Sequence, residues 1–303
     1  MDHKRSQVAS AALCLIFVVL IWGMNWLVIK DALRVAPPLF FTGLRLLGGA
    51  AAIAAARLSL GFPLHVDRKA QFIVLVIGLL QMACGLGLSL IGLQYLDVGR
   101  SALIFYTMPL WLAVIEWILD GRRQTLLEFG ALACGLCGLA LLAIKSSSSM
   151  TPGGMAGVSL LLIAAICWAL GTWLANRSFT SSDIWSRTVF QLATSGAMVM
   201  LASLAFEPHF DIARLSILAV PMAFNCIAAT GFAFVAWYYA LASIPARIAS
   251  QSLVLIPVVA LLSAAMLQGE QLALRTMLAC VLIVAGVTIT IWQRDASPLG
   301  RKA

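Results

Sequence analysis

Charge is what this sequence has least of. Of its 303 residues 20 are Lys or Arg and 12 are Asp or Glu, 11% in all, against roughly a quarter in a soluble domain. So few charges cannot clothe a water-exposed surface, which excludes an ordinary soluble globular chain. Histidine is scarcer still: His3, His65 and His209 all fall in polar segments, so no imidazole proton relay is available in an apolar interior. A Ser–His–acid set, a metal-ligand cluster and a glycine-rich phosphate loop are equally missing. An intramembrane enzyme is therefore a remote reading, and no cofactor or metal is expected. The net charge of +8 has no basic stripe with interleaved aromatics, which excludes nucleic-acid binding.

No disulfide framework is present either. All seven cysteines (Cys14, Cys84, Cys134, Cys137, Cys167, Cys226, Cys280) lie inside apolar runs. Cys134 and Cys137 form a CxxC pair, a spacing that serves redox or metal chemistry in other contexts. On an apolar helix with no histidine nearby they read as small packing residues.

What the chain does have is hydrophobic length. It is 62% hydrophobic with a mean hydropathy of +1.00, and runs of about 20 apolar residues, enough to cross a ~30 Å hydrocarbon core as helices, fill most of it. The charged start before the run Val8–Ile29 resembles a secretory leader, but the run is too long and contains Trp22, Asn25 and Trp26, so it is kept as helix 1. Pro37 and Pro38 open helix 2, which continues to about residue 56; a short basic loop spans 57–69. Helices 3, 4 and 5 follow at about 70–93, 99–119 and 126–144. The Ser/Gly-rich tract at 146–154 reads as a linker. Helices 6 to 10 occupy about 155–175, 185–206, 215–242, 246–267 and 273–292, and 293–303 is a polar tail.

The two halves repeat. A shift of 148 residues lays Pro109 on Pro257, Gly121 on Gly269, Leu126 on Leu274, Ala131 on Ala279 and Gly138 on Gly286. Shifts of 147 and 146 lay Trp26 on Trp173 and Trp22 on Trp168. Residues 8–145 and 155–292 are thus expected to be two five-helix units. Ten helices leave both termini on one side. That side carries thirteen Lys and Arg, from Lys4 to Lys302, against six on the other (Lys30, Arg34, Arg100, Lys145, Arg214, Arg275), with Arg45 inside a helix. The bias places the termini in the cytoplasm. Because each unit has an odd number of helices, the second enters the membrane upside down. The fold class that follows is an all-α integral membrane protein: ten transmembrane helices in two inverted five-helix repeats around a central cavity, the architecture of many secondary transporters.

Here the residues carry a family likeness. "IWGMNWLVIK" in helix 1, an Arg in helix 2, "ALIFYTMPLWLAVIEWIL" with its proline, and "GEQL" after helix 9 resemble the drug/metabolite transporter superfamily in its ten-helix, EamA-type branch. The resemblance covers roughly residues 10–292. It implies export of a small metabolite from a bacterial inner membrane, and by overall likeness points to the YddG-like exporters of aromatic amino acids. One departure is "DGRRQT", where the family usually has Gly-Glu; the acid here, Asp120, precedes the glycine.

Ionisable groups within helices are expensive there and functional by default. Arg45 lies eight residues past Pro37, about 12 Å deep at ~1.5 Å per residue, near the midplane. It is a candidate to capture a substrate carboxylate, the alternative being a structural Arg tied to neighbouring helices. Glu116 can carry a proton in coupled export, or pair at the interface with Arg122 and Arg123, since it precedes Asp120 by one helical turn; proton coupling stays open. Trp22, Asn25, Gln81, Tyr106, Trp168, Asn225 and Gln251 lie at comparable depth, where amides and phenols need partners and aromatic faces suit flat substrates. With Arg45 they form the expected substrate-binding set. Trp117, Trp185, Trp237 and Trp292 lie near run ends and read as interfacial anchors, while Tyr238 stays unassigned. Pro109 and Pro257 read as paired hinges. The function expected is alternating-access export of small metabolites, most of all hydrophobic or aromatic amino acids, with a passive facilitator or channel-like pore as the alternative. The partners expected are that small molecule and the lipid bilayer.

The topology is testable at once: in intact cells, a reagent that cannot cross the membrane labels a cysteine placed at Ser149 and not one placed at Asp2. Labelling of both from one side would refute the inverted arrangement.

Overall fold

The computed structural model describes residues 2–96, 98–122, 124–143, 153–179, 184–208, 210–211, 215–268 and 274–296. Most of the expected linker, the "GEQL" segment and the end of the tail lie outside them. Ten helical rods run through the described residues: α1 (Asp2–Ala32), α2 (Pro38–Ser59), α3 (Arg68–Gly92), α4 (Val98–Phe105 and Met108–Asp120), α5 (Leu126–Ala143), α6 (Gly154–Ser178), α7 (Ile184–Phe206), α8 (215–243), α9 (246–268) and α10 (Leu274–Ala296). Seven of them are long and apolar enough to cross a membrane. The broken α4 and the shorter apolar stretches of α5 and α10 complete the bundle, and no strand occurs among the described residues.

Local chemistry sets the boundaries. α2 starts on Pro38 with Pro37 in extended conformation before it, and its free N–H groups are capped from another helix. Leu39 and Phe40 donate to Glu207 Oε1 and Oε2 at 2.7 and 2.8 Å, and Ser203 Oγ adds a third bond at 2.8 Å. α4 stops at Gly121, whose φ of 65° is left-handed and available to glycine at little cost.

The prolines do more than bend their helices. The chain leaves α-helix at Tyr106–Thr107 and resumes at Met108, one residue before Pro109. In α9 the residues Leu253–Leu255 form a single 3₁₀ turn, and helix resumes at Ile256, one residue before Pro257. Each proline lacks the N–H that would close the preceding turn. Two further irregularities also match: α3 is π-helical over Leu79–Gly87 and α8 over Asn225–Phe232. Every helix that reaches the centre as the third or fourth of its repeat is therefore irregular there.

The packing shows the inversion. α2 lies along α7 and α5 along α10, while α1 packs on α8 and α9 just as α6 packs on α3 and α4. Exchanging the repeats maps each contact onto its counterpart. Glycine makes one of these seams possible. A Cβ at Gly138 would sit 2.7 Å from the Ala279 carbonyl oxygen, and one at Gly286 would sit 2.6 Å from that of Ala131. The two backbones thus touch at repeat-related points.

Val at Gly138 or Gly286 should cost about 1–3 kcal/mol by overpacking and lower the detergent Tm. Ala at Gly130, whose Cβ would meet nothing within 4 Å, should leave it unchanged or raised. Equal Tm values for all three would contradict this seam.

Candidate functional site

Where the repeats meet, aromatic side chains converge. Trp22 of α1 meets Trp168 of α6 edge-on at 5.7 Å between centroids, and both contact Phe234 and Trp237 of α8 at 5.1–6.4 Å. Phe105, at the break in α4, stands against Trp168 at 5.9 Å. Trp22 and Trp168 are repeat mates, yet their polar ends differ. Trp22 Nε1 donates to the carbonyl of Ala229 at 2.8 Å, inside the π-helical turn of α8, whereas Trp168 Nε1 is buried with no partner.

Beside this cluster lies a cavity of about 540 Å³ including the part open to solvent, lined by Trp22, Asn25, Arg45, Tyr106 and Trp168 together with Trp26, Ile29, Ser89, Phe105, Phe234, Leu253 and Ile256. Arg45 is 3% exposed. Its Nε donates to Thr230 Oγ1 at 3.0 Å, again in the π-helical turn. No other hydrogen bond reaches it among the described residues, and no carboxylate lies within ion-pair distance there. Asn25, also 3% exposed, holds its Oδ1 without a partner. Tyr106 hydroxyl accepts from Trp26 Nε1 at 2.9 Å, leaving its own proton to donate. The cavity thus offers a guanidinium fork, an indole N–H, a phenol and an amide, surrounded by aromatic faces. Such a set can hold an anionic or zwitterionic group and a flat apolar one.

Three of the expected residues are not brought to this cavity. Gln81 is consumed in a chain that ties four helices: it donates to Thr172 Oγ1 (2.9 Å) and accepts from Tyr238 hydroxyl (2.6 Å), which accepts from Gln191 Nε2 (2.6 Å). Asn225 turns back to the carbonyl of Pro221 at 3.1 Å. Gln251 faces two smaller spaces between α4, α5 and α9. Trp237 is a correction of another kind. Expected at the interface, it is 0% exposed and part of the aromatic cluster, because the face of α8 opposite lipid points it inward. Trp117, by contrast, is 57% exposed. Reading polar residues singly misses Phe105, Phe234, Leu253 and Ile256, which are ordinary apolar residues in sequence. Trp26, one turn from Trp22, carried the one usable signal.

The end of the bundle that holds the chain termini is bound by ions. Arg122 Nη1 donates to Glu116 at 2.7 Å and Nη2 to Glu128 at 2.5 Å, and Arg247 Nη1 reaches Glu128 at 2.9 Å. Burial opposes the charge on Arg122, but the adjoining Glu116 and Glu128 outweigh it and hold its pKa above the ordinary guanidinium value. Asp120 accepts from Arg177 and from Trp173 Nε1 (3.0 Å), with the guanidinium over the Trp173 ring. Asn176 binds the carbonyls of Leu241 and Ile244 at 2.5 and 3.3 Å. The central cavity lies toward the other end.

The model of the EamA-like transporter family matches this chain twice, over residues 9–144 and 155–292. This chain belongs to the EamA-like transporter family. Relatives of this EamA transporter include the uncharacterized transporter YoaV of Bacillus subtilis, 29% identical over 90% of this chain and 94% of that one. The uncharacterized inner membrane transporter YedA of Escherichia coli is 29% identical over 89% and 87%. The probable amino-acid metabolite efflux pump of Salmonella typhimurium is 31% identical over 91% and 93%. A solved crystal structure shares the fold, with a TM-score of 0.80 over 95% of this chain and 98% of its own at 20% identity. The protein is a multi-pass membrane transporter, and neither its family nor these relatives are enzymes.

Cys134 of this transporter lies against Gly286 in the α5–α10 seam, and Cys137 is exposed on the outside of α5. A variant with all seven cysteines replaced by Ala should insert and transport like the parent. Loss of flux in a well-expressed Cys134→Ala or Cys137→Ala protein would assign the pair a chemical role.

Proposed function

We propose that this transporter exports amino acids, aromatic and hydrophobic ones first, from the cytoplasm across a bacterial inner membrane, with both of its termini cytoplasmic. The observation that carries the reading is Arg45: a buried guanidinium, anchored through Nε by Thr230, on the wall of a cavity, with no carboxylate in ion-pair distance among the described residues. A buried cation without a counter-ion is costly, and a substrate carboxylate relieves that cost by a two-point bond. Asn25 Oδ1 is the acceptor offered to an ammonium group, and Trp22, Trp168 and Phe234 supply the surface for an apolar side chain. The names of the Salmonella and Escherichia coli relatives agree with amino-acid efflux and with the inner membrane.

With the termini inside, the cavity is on the outward half and the ion-bound end is the closed cytoplasmic one. Alternating access then uses the two breaks before Pro109 and Pro257 as hinges. The lining described for the cavity contains neither carboxylate nor imidazole, which favours uncoupled, downhill export over proton coupling, as in the facilitator alternative.

In proteoliposomes of matched protein content, Arg45→Gln should weaken an aromatic amino acid by about 1.5–3 kcal/mol, roughly tenfold to over a hundredfold in affinity. The corresponding amine should lose less, and Arg45→Lys should restore only part, lacking the planar fork. Equal losses for acid and amine would remove Arg45 from the binding site.

A further inference from the structure

Three spaces inside the bundle lie one after another. The central cavity touches Tyr106; the second space, about 190 Å³, runs from Tyr106 past Pro109 and Leu132 to Gln251; the third, about 340 Å³, runs from Pro109 and Gln251 to Glu116, Glu128 and Arg247. Each shares wall residues with the next. Together they trace one line from the buried centre to the ion-bound end, between the two broken helices and α5.

Gln251 stands at the neck of this line. It is 3% exposed and lines both the second and the third space. The amide reaches toward α5, where a methyl group at Gly135 would touch its Nε2 at 3.5 Å. An amide on the wall of two adjoining spaces offers both a donor and an acceptor to a polar visitor. Of the three other expected amides, Gln81 is spent on Thr172 and Tyr238, Asn225 donates to Pro221, and Asn25 lines the central cavity. Nor does a broken helix require an amide at this position: the repeat mate of Gln251 in α4 is Leu103. Beyond the neck, the mouth is held by Arg247 of α9 on Glu128 of α5 at 2.9 Å, with Arg122 tying Glu128 to Glu116 of α4. None of these charges recurs in the second repeat, whose matching positions are Ala264, Glu270 and Thr276, with Gly99 matching Arg247 in the first. Among the described residues this lock occurs at one end.

We propose that substrate enters from the end carrying the termini through the passage between α4, α5 and α9. The Arg247–Glu128 pair closes its mouth, and Gln251 is the polar contact that passes a zwitterionic substrate to the central cavity. Opening is a displacement of α9 from α5, which breaks one ion pair and frees the Arg247 guanidinium for the substrate carboxylate, while Glu128 stays with Arg122. The direction of transport and the amino-acid substrate rest on the function proposed above, but the passage itself does not.

A cationic, membrane-impermeant methanethiosulfonate tests the passage without reference to substrate. In the cysteine-free background, Gln251→Cys should react from the face that also labels Asp2→Cys, faster than from the opposite face. Arg247→Gln should raise that rate roughly tenfold, the population shift expected from losing one partly buried pair. Ser89→Cys, in the central cavity, reports whether reagent enters from the opposite face, and Val220→Cys, on the lipid side, should stay unreactive. Equal rates from both faces, no effect of Arg247→Gln, or an unreactive Gln251→Cys beside a reactive Ser89→Cys would each overturn the proposal. As a second readout, Gln251→Leu should slow counterflow of an aromatic amino acid while leaving its equilibrium affinity unchanged, and Gln251→Asn should recover part of the rate. A changed affinity with unchanged flux would place Gln251 in the binding site rather than the passage. Should carboxylate recognition by Arg45 fail its own test, the labelling results stand unaffected.

Discussion

Hydrocarbon offers no partner to a backbone N–H or carbonyl, and this transporter is arranged around that constraint. Helix satisfies it along the spans, since each N–H bonds within its own segment. Irregular backbone turns most of its side chains inward, with Leu79, Ile227 and Phe232 on the exposed side. The break at Tyr106–Thr107, the 3₁₀ turn at Leu253–Leu255 and the π-helical turns at Leu79–Gly87 and Asn225–Phe232 all sit at the centre of the bundle. Side chains put the irregular turn of α8 to use: Trp22 takes the carbonyl of Ala229, and Arg45 is aimed by Thr230. Where the backbone departs from α-helix, the side chains of the candidate site gather.

The near-symmetry of the repeats makes their differences informative. Trp22 and Trp168 occupy matching places, yet only the first has its indole N–H satisfied. Among the described residues Arg45 has no acidic partner, and the ion pairs of Glu116, Arg122, Glu128 and Arg247 gather at one end. Two identical halves would give a molecule with no preferred side. These few residues make the two ends differ, with the cavity toward one and the ion pairs at the other.

Much of the fold was legible in the residues. Apolar runs of membrane length, the proline pair at a constant shift, Gly138 and Gly286, and the odd number of helices per repeat led to the ten-helix inverted bundle, because each of these is a local or periodic property. Of the expected site, Trp22, Asn25, Arg45, Tyr106 and Trp168 share one cavity; Gln81, Asn225 and Gln251 do not line it. Depth along a helix predicts that an amide is buried, but the rotation of the helix decides which neighbour it meets. Gln81 met Thr172 and Tyr238, and Asn225 met its own helix. Trp237 was misplaced for the same reason, since closeness to the end of a run says nothing of which face it occupies.

The sequence by itself determined the solvent, the number and inversion of the helices, the rarity of charge at the centre and hence the weight of Arg45. These follow from hydrophobicity, length and spacing, which are additive along a chain. The tertiary structure alone decided which polar groups are satisfied and which are left open: that Trp168 and Asn25 lack partners while Gln81 has two, that Phe105 and Phe234 wall the cavity, and that Arg247 meets Glu128. Those facts depend on distances between residues far apart in the chain, and only packing of the two repeats against each other sets them.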